Sequence, residues 1–550
     1  MADFFNRSNI CGRKAGTWHL CIGGKRARRQ IFAIVTLIIA LAGCCLAGEP
    51  ADERQFLASG HNGAVSCGHP LAAAAALQIL RDGGNAVDAA VAAGFTLGVV
   101  DFSNSGIGGD GFALVCSANG RVTAFDASTR RPLDQKAVDR QNYIGLPTVP
   151  ELLLKLHRIY GSRPVPEIMA PAIAACINGF KVSAYLEKVV EKKLCSVEDV
   201  QTIAFLSPEG FPLRAGQIFK QPKLARTLIQ MAADGGQSFY CGSEAKQTIA
   251  DMQSRGSMYQ PEDFALYRSQ PVKALRYNYH EFSIYGTPPP SCSLATVKLA
   301  FDLLDKGIKL FPETGKELFT LAATGQRVIS AKYSGMAGCI DDHQRFFDLV
   351  EQGEKPATVC DPAVADTNTT HLCVWDKNGL VVSMTLTLGN HFGTGQLAPG
   401  GFFYNNGLRN YSDQVARYPA DYPLRAGPVS AKSPIIVTRN GQPLLAMGGA
   451  GADRIIFNTG LALARILAGH DLKKSMSAPR FYLDYRQKLS VEWHPDLKLL
   501  KEARKMLPDV EVKNGCDDFF GLLSLIARKS DGSLLTAADQ RRDGSCGAIP

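Results

Sequence analysis

The chain has 550 residues, 46% of them hydrophobic and 20% charged, and it shows no internal repeat and no low-complexity tract. That is enough apolar material for a sizeable core, and a length that allows two to four domains. Sixty basic and 51 acidic residues give a formal charge of +9, but seven basic residues against one acidic residue place +6 of it in residues 1–30, so the remaining +3 excludes a charge-driven case for a nucleic-acid partner.

Lys25-Arg26-Ala27-Arg28-Arg29 leads directly into Ile31 to Ala47, an apolar run broken only by Thr36. At 1.5 Å per helical residue the run spans roughly 25 Å, close to a bilayer core of about 30 Å. The basic flank predicts a cytoplasmic segment over 1–30, a signal anchor over 31–48 and an exported remainder, a single-pass type II membrane protein with its catalytic domain extracellular or luminal. A cleaved signal peptide, and a lipid anchor at Cys44 within Leu41-Ala42-Gly43-Cys44, stay open as alternatives. Residues 49–62 read as a polar stalk. Fifteen cysteines fit an oxidising compartment; eleven of them follow Glu49, an odd number that leaves at least one thiol unpaired within the chain. No cysteine or histidine pattern has metal-ligand spacing, so neither a metal nor a cofactor is expected.

Leu71 to Leu80 is an Ala-rich helix stopped by Gly83-Gly84, and Asn85 caps a second helix through about Leu97. Ser105 to Gly111 lacks the lysine and hydroxyl residue of a phosphate loop and reads as a tight strand entry. Phe112–Cys116 and Val122–Phe125 form a hairpin across Asn119-Gly120. Val149 to Tyr160 is an amphipathic helix with Glu151, Lys155 and Arg158 on its solvated face. Helices follow at 166–177, 185–194, 224–233, 243–254 and from Gln260, then two strands within 272–285, then helices at 294–304 and 317–333. The polar stretch 354–368 reads as a linker or surface loop.

Thr369 stands where this polar stretch meets a strand running to Asp376. Thr387 closes a second strand, Val381 to Leu388, and Asn378-Gly379 supplies the positive φ angles of a hairpin turn between them. A threonine hydroxyl is a poor nucleophile unless a base lies beside it. Cutting the chain just before the residue makes its own α-amine that base. Beyond the hairpin come strands near 402–405, 431–437 and 443–448, a helix from about Arg454 to Ala468, and a C-terminal α/β portion.

From about Gly63 to its end the chain resembles the γ-glutamyltransferase (glutathione hydrolase) family of N-terminal-nucleophile hydrolases. The likeness rests on the family order of Gly83-Gly84-Asn85-Ala86-Val87-Asp88-Ala89-Ala90, Ser105-Gly106-Ile107-Gly108-Gly109, Gly145-Leu146-Pro147-Thr148-Val149-Pro150, Pro288-Pro289-Pro290-Ser291 and Thr369-Thr370-His371. It implies an α+β fold, a four-layer αββα sandwich. It implies self-cleavage between Asn368 and Thr369, giving a large portion (63–368) and a small portion (369–550) that stay associated as a heterodimer. Thr369 is then the nucleophile, Thr387 its hydroxyl partner, and the amides of Gly451 and Ala452 the oxyanion donors, Ala452 being tolerable if its φ angle is negative.

The resemblance also implies departures in the pocket. The family's carboxylate-clamping arginine falls on Ser128, with Arg130 and Arg131 close by, and its serine pair becomes Ser430-Ala431. The positions that hold an α-amino group read Gly389, Gly407 and Asn410, with Asn390 one residue off. Relatives often carry glycine where Asp110 stands. Arg409 and Lys432 add positive charge where an ammonium group would bind. Asn368-Thr369-Thr370 and Asn410-Tyr411-Ser412 are glycosylation sequons, and Asn368 is expected to be buried and unmodified.

Three functions follow from these residues. The first is a membrane-anchored enzyme that hydrolyses γ-glutamyl amides such as glutathione, or transfers their acyl group to an amine acceptor. The second is an amidase of the same mechanism acting on a glutaryl-like acyl group. The third is a catalytically silent surface protein with a binding or structural role.

Overall fold

The computed structural model describes residues 54–133, 143–337, 343–352, 367–411, 427–492, 497–507 and 509–550. The predicted anchor and most of the polar stretch 354–368 lie outside these residues. Among the described residues no helix is long and apolar enough to cross a membrane.

Two seven-stranded antiparallel sheets form the centre. One runs, in spatial order, Leu57–Gly60, Leu534–Ala538, Leu522–Arg528, Gln442–Ala450, Ile435–Arg439, Phe282–Gly286, Leu275–Tyr279. The other runs Ser545–Ile549, Gly63–Cys67, Thr367–Asp376, Val381–Asn390, Asp110–Cys116, Val122–Ala127, Gln270–Lys273. They pack face to face, because strand side chains alternate between two sides. Cys373 and Trp375 point inward with Leu114, Ile436, Ala446 and Ile526. Leu372 and Val374 point outward into the larger core under the helices.

Helices Pro70–Arg81 and Ala86–Val100 cover the outer face of the second sheet, and Ser293–Asp305 and Arg454–Leu467 cover the first, which completes the αββα sandwich. Ala86–Val100 is apolar all round and wholly buried, as a helix between a sheet and further helices must be. Its start is fixed by a capping box: Asn85 Oδ1 accepts from Val87 N and Asp88 N, and Asp88 Oδ2 accepts from Asn85 N.

Several expectations need correction. Leu57–Gly60, inside the expected stalk, is an edge strand paired with Leu534–Ala538. The segment read as two strands in 272–285 contains three, Gln270–Lys273, Leu275–Tyr279 and Phe282–Gly286. Residues 402–405 form no strand; Phe403 makes an isolated bridge to Leu397. Glu151 is buried instead of solvated, and both its carboxylate oxygens accept from Arg158 Nη2 at 2.9 Å. The hairpin turn has only one positive φ angle, +85° at Gly379. Asp376 does the rest, its Oδ1 accepting from Asn378 N and Leu380 N and its Oδ2 from Ala86 N, so one carboxylate pins both the turn and the buried helix. The nine described cysteines are all free thiols, and the six buried ones are accounted for as small core residues.

Candidate active site

The predicted nucleophile lies on a central strand, next to its return strand. Register shifts by one residue between Asn368, opposite Gly389, and Thr370, opposite Leu386. This bulge leaves Thr369 outside the regular ladder and turns its side chain toward Thr387, a use of bulges common at active sites. Thr369 Oγ1 donates to Thr387 Oγ1 at 3.1 Å. Thr387 Oγ1 also accepts from Gly389 N at 2.9 Å, so its one proton goes to the Asn368 carbonyl oxygen, 2.5 Å away. The two hydroxyls therefore form a chain that ends on the carbonyl of the peptide bond expected to break.

Sequence reasoning missed Arg542. Its buried guanidinium donates to Asn368 Oδ1 and, at 3.4 Å, to the Thr369 carbonyl oxygen. It thereby fixes the residues on both sides of that bond. Nothing in Arg541-Arg542 alone marks one arginine as buried beside Thr369. Asn368 itself is buried, in line with the expectation for this sequon.

Behind the strand, Asp101 ends the helix Ala86–Val100 and its Oδ1 accepts from Asn104 Nδ2. Burial pushes its carboxyl up to about 7, with Asn104, the Thr370 hydroxyl and Arg542 opposing that rise and Asp543 adding to it. On the other face, His371 lies between the sheets. Its Nδ1 contacts Thr385 Oγ1 at 2.8 Å, and burial pulls the imidazole down to about 3. A Cβ atom at Gly448 would come within 2.3 Å of that ring, so glycine is required there for the sheets to close over the histidine. The histidine of Thr-Thr-His is thus a neutral spacer that sets the height of the strand Gln442–Ala450.

That strand leads into Gly451 and Ala452, which precede the helix Arg454–Leu467. Ala452 lines the same cleft as Thr369 and Thr387. The positive end of this helix faces the cleft, a favourable place for developing negative charge. The φ of Ala452 is +58°, against the expected negative angle, so this alanine holds a left-handed backbone that glycine would adopt without strain.

The cleft opens to solvent, and about 650 Å³ of space, open solvent included, lies between its walls. Ser430, Asn410 and Asn390 line it; Arg130 is not among its lining residues, and its guanidinium is bound by Asp126 at 2.8 Å and by Ser128. Asn410 Nδ2 donates to Val429 O at 3.0 Å, and Asn390 Oδ1 is buried with no hydrogen-bond partner among the described residues. Ser430 is held in place by its backbone, which bonds Pro290 O and Cys292 N, next to a buried hydroxyl cluster of Thr287, Ser291 and Ser293. Gly389 has φ +91°, and a Cβ there would fall 1.9 Å from Asn406 Oδ1. Asn406, which the sequence reading overlooked, fills the space a side chain at 389 would need.

The loop Ser105–Gly109 supports this floor from behind. Cβ atoms at Gly108 and Gly109 would meet the carbonyl oxygens of Phe403 and Thr387 at 2.0 and 2.4 Å, so the glycines serve close backbone approach. Asp110 follows and opens the strand paired with Thr387. Its carboxylate contacts Lys432 Nζ, both side chains being 3% exposed, and both residues line the cleft. No group of histidine, cysteine and acidic residues among the described residues has the arrangement of a metal site.

The chain is similar to known proteins along most of its length. The family model for Gamma-glutamyltranspeptidase matches residues 72–332 and 320–549. The glutathione hydrolase proenzyme of Escherichia coli (strain K12) is 29% identical over 92% of this chain and 97% of its own. The Acylase ACY 1 proenzyme of Pseudomonas sp. (strain SE83) is 28% identical over 90% of this chain and 94% of its own. Among solved structures, the cephalosporin acylase from Bacillus halodurans superposes with a TM-score of 0.78 at 23% identity, covering 92% of this chain and 99% of that one, a likeness of fold.

Proposed function

This chain belongs to the gamma-glutamyltranspeptidase family of hydrolases and acyltransferases, and from that premise we propose that it cuts itself between Asn368 and Thr369 and then uses Thr369 to cleave amides of a γ-glutamyl or glutaryl-like acyl group. The observation that carries this reading is the hydroxyl chain from Thr369 through Thr387 to the Asn368 carbonyl oxygen.

In the intact chain, Thr369 Oγ attacks the Asn368 carbonyl carbon while Thr387 donates to its oxygen and Arg542 holds the flanking groups. The peptide nitrogen leaves as an amine, taking the hydroxyl proton, and the Asn368 acyl group passes to Thr369 Oγ as an ester. Water hydrolyses the ester. The products are a carboxylate on Asn368 and a free α-amine on Thr369. That amine is the general base the hydroxyl lacked. It takes the proton when Oγ attacks a substrate amide and returns it to the departing amine. The acyl-enzyme is resolved by water or by an amine acceptor. Each backbone donor at Gly451 and Ala452 would contribute about 3 kcal/mol to the developing oxyanion.

The two portions are interleaved, which supports a stable heterodimer after cleavage. Strands Gly63–Cys67 and Asp110–Cys116 from before the cut flank the hairpin from after it, and the last strand, Ser545–Ile549, pairs with Gly63–Cys67. The ladder hydrogen bonds between these strands do not run through the peptide bond that is cut.

The test is release of chromophore from an acyl anilide by purified protein, with γ-glutamyl and glutaryl anilides compared. Release well above a Thr369→Ala control supports the reading; equal rates would sink it. Membrane anchoring through 31–48 belongs to the same proposal and is checked by fractionating the full chain against one lacking residues 1–48. A second acyl preference, for a group without an amine, is favoured by one specific pair of residues in the cleft.

A further inference from the structure

We propose that Lys432, held by Asp110, is the part of the cleft that binds the polar end of the acyl group, and that it takes a carboxylate with no ammonium group beside it. This rests on the Thr369 reading for its chemistry and on separate observations for its specificity.

The position is the first of these. Asp110 is the register partner of Thr387 on the adjacent strand. It stands one strand spacing, about 5 Å, from the hydroxyl partner of the nucleophile. Lys432 reaches it from the loop that leads into the strand Ile435–Arg439 of the other sheet, and the Lys432 carbonyl oxygen is fixed by Ser291 Oγ at 2.8 Å. The ammonium is therefore delivered from a rigid backbone to the floor of the cleft that Thr369 lines.

The hydrogen-bond inventory is the second. An ammonium carries three N–H donors. Lys432 spends one on Asp110 Oδ1 and lies 5.1 Å from the centre of the Phe112 ring, and no other acceptor among the described residues meets it. Its side chain is only 3% exposed, so spare donors inside the cleft want an acceptor that a ligand can bring. Asp110 is differently placed: Oδ1 faces Lys432 and Oδ2 accepts from Thr129 N at 3.1 Å. A ligand ammonium approaching Asp110 would meet Lys432 first, a like charge at close range.

The surrounding charges do not alter this balance. Arg409 and Asp453 also line the cleft, one of each sign. The positions from which the family resemblance would draw ammonium partners offer little: Gly389 and Gly407 have no side chain, and Asn410 is an amide. A glutaryl-type acyl group, carboxylate without α-amine, fits this inventory; an α-amino acid zwitterion does not.

Binding to the intact Thr369→Ala chain tests the idea without relying on catalysis. Glutarate, L-glutamate and butyrate are titrated, and affinity is read by calorimetry and by the shift in melting temperature. Glutarate should bind at least tenfold more tightly than the other two. The double variant Lys432→Met, Asp110→Gly, which leaves no unpaired charge, should lose that tenfold advantage. Glutamate binding as tightly as glutarate, no measurable glutarate binding, or a glutarate preference surviving in the double variant would each overturn the proposal. None of these outcomes depends on whether Thr369 is a nucleophile, so failure here is distinct from failure of the proposed reaction.

Discussion

The hairpin that carries Thr369 and Thr387 and the acyl end of the cleft share one cavity but are built differently. The hairpin groups sit on central strands, and their positions follow from register, from the bulge at Thr369 and from Arg542. The acyl end is made from the margins of the sheets: Gly389 and Asn390 at the end of one strand, Asp110 at the start of another, the short helical turn Gly407–Tyr411, and the loop residues Pro428 to Lys432. Changing a strand residue at the hairpin disturbs two sheets. Changing a loop residue at the acyl end alters charge and leaves the ladder intact. The reaction and the choice of substrate can therefore diverge separately, and the divergent positions here lie at the acyl end.

The contrast is broken most severely at Thr369. Thr369→Ala should leave a single uncut chain and lower amide cleavage by at least 10³-fold, which a gel and an anilide assay would measure; cleavage surviving in this variant would move the chemistry elsewhere.

Asp101 lies just behind the hairpin and tests it through pH. Its carboxyl titrates near 7 when folded and near 3.8 in the free residue. The folded state prefers the protonated form, so its contribution is full below pH 3.8 and is lost as pH rises to 7, by about 1.4 kcal/mol per unit. Asp101→Asn should therefore gain stability over wild type across that window, reaching a few kcal/mol, in urea unfolding at a series of pH values. His371 acts in the opposite direction. It is held neutral down to about 3 against a usual 6.5, so its contribution is present above pH 6.5 and is lost as pH falls toward 3. In the Asp101→Asn background that acid loss should stand out.

Arg542→Met removes two charge-assisted hydrogen bonds beside the scissile peptide. A cost of about 2 kcal/mol predicts self-cleavage slowed roughly 10- to 100-fold, followed as a time course on a gel. The smallest effect is at Ala452, where glycine relieves a positive φ angle and should raise stability by about 0.5–1 kcal/mol in thermal unfolding.

Much of this was legible in the chain itself. Asn85 with Asp88, the small-residue helices and the alternating strands around Thr369 each state their local structure, because capping and periodicity are short-range. The glycine run before Asp110 announced a tight strand entry. What stayed hidden depends on contacts between distant residues. Arg542 meets Asn368 across 174 positions, and Lys432 meets Asp110 across 322. Asn406 fills the space beside Gly389 only once the loop has closed. Ala452 has its positive φ angle in a turn where Gly451 lies close against Gly521, and no local propensity reports that sign. Asp110 and Lys432 were visible as oddities, one acidic among glycines and one basic between serines, but their pairing was not.

The account depends above all on one backbone break. Sequencing the amino termini of the purified, matured full-length chain, with intact mass measured alongside, tests it most directly. The account predicts a fragment whose first residue is Thr369, held to its partner until denatured. A mature protein whose chain remains covalently continuous through Asn368 and Thr369 would contradict it.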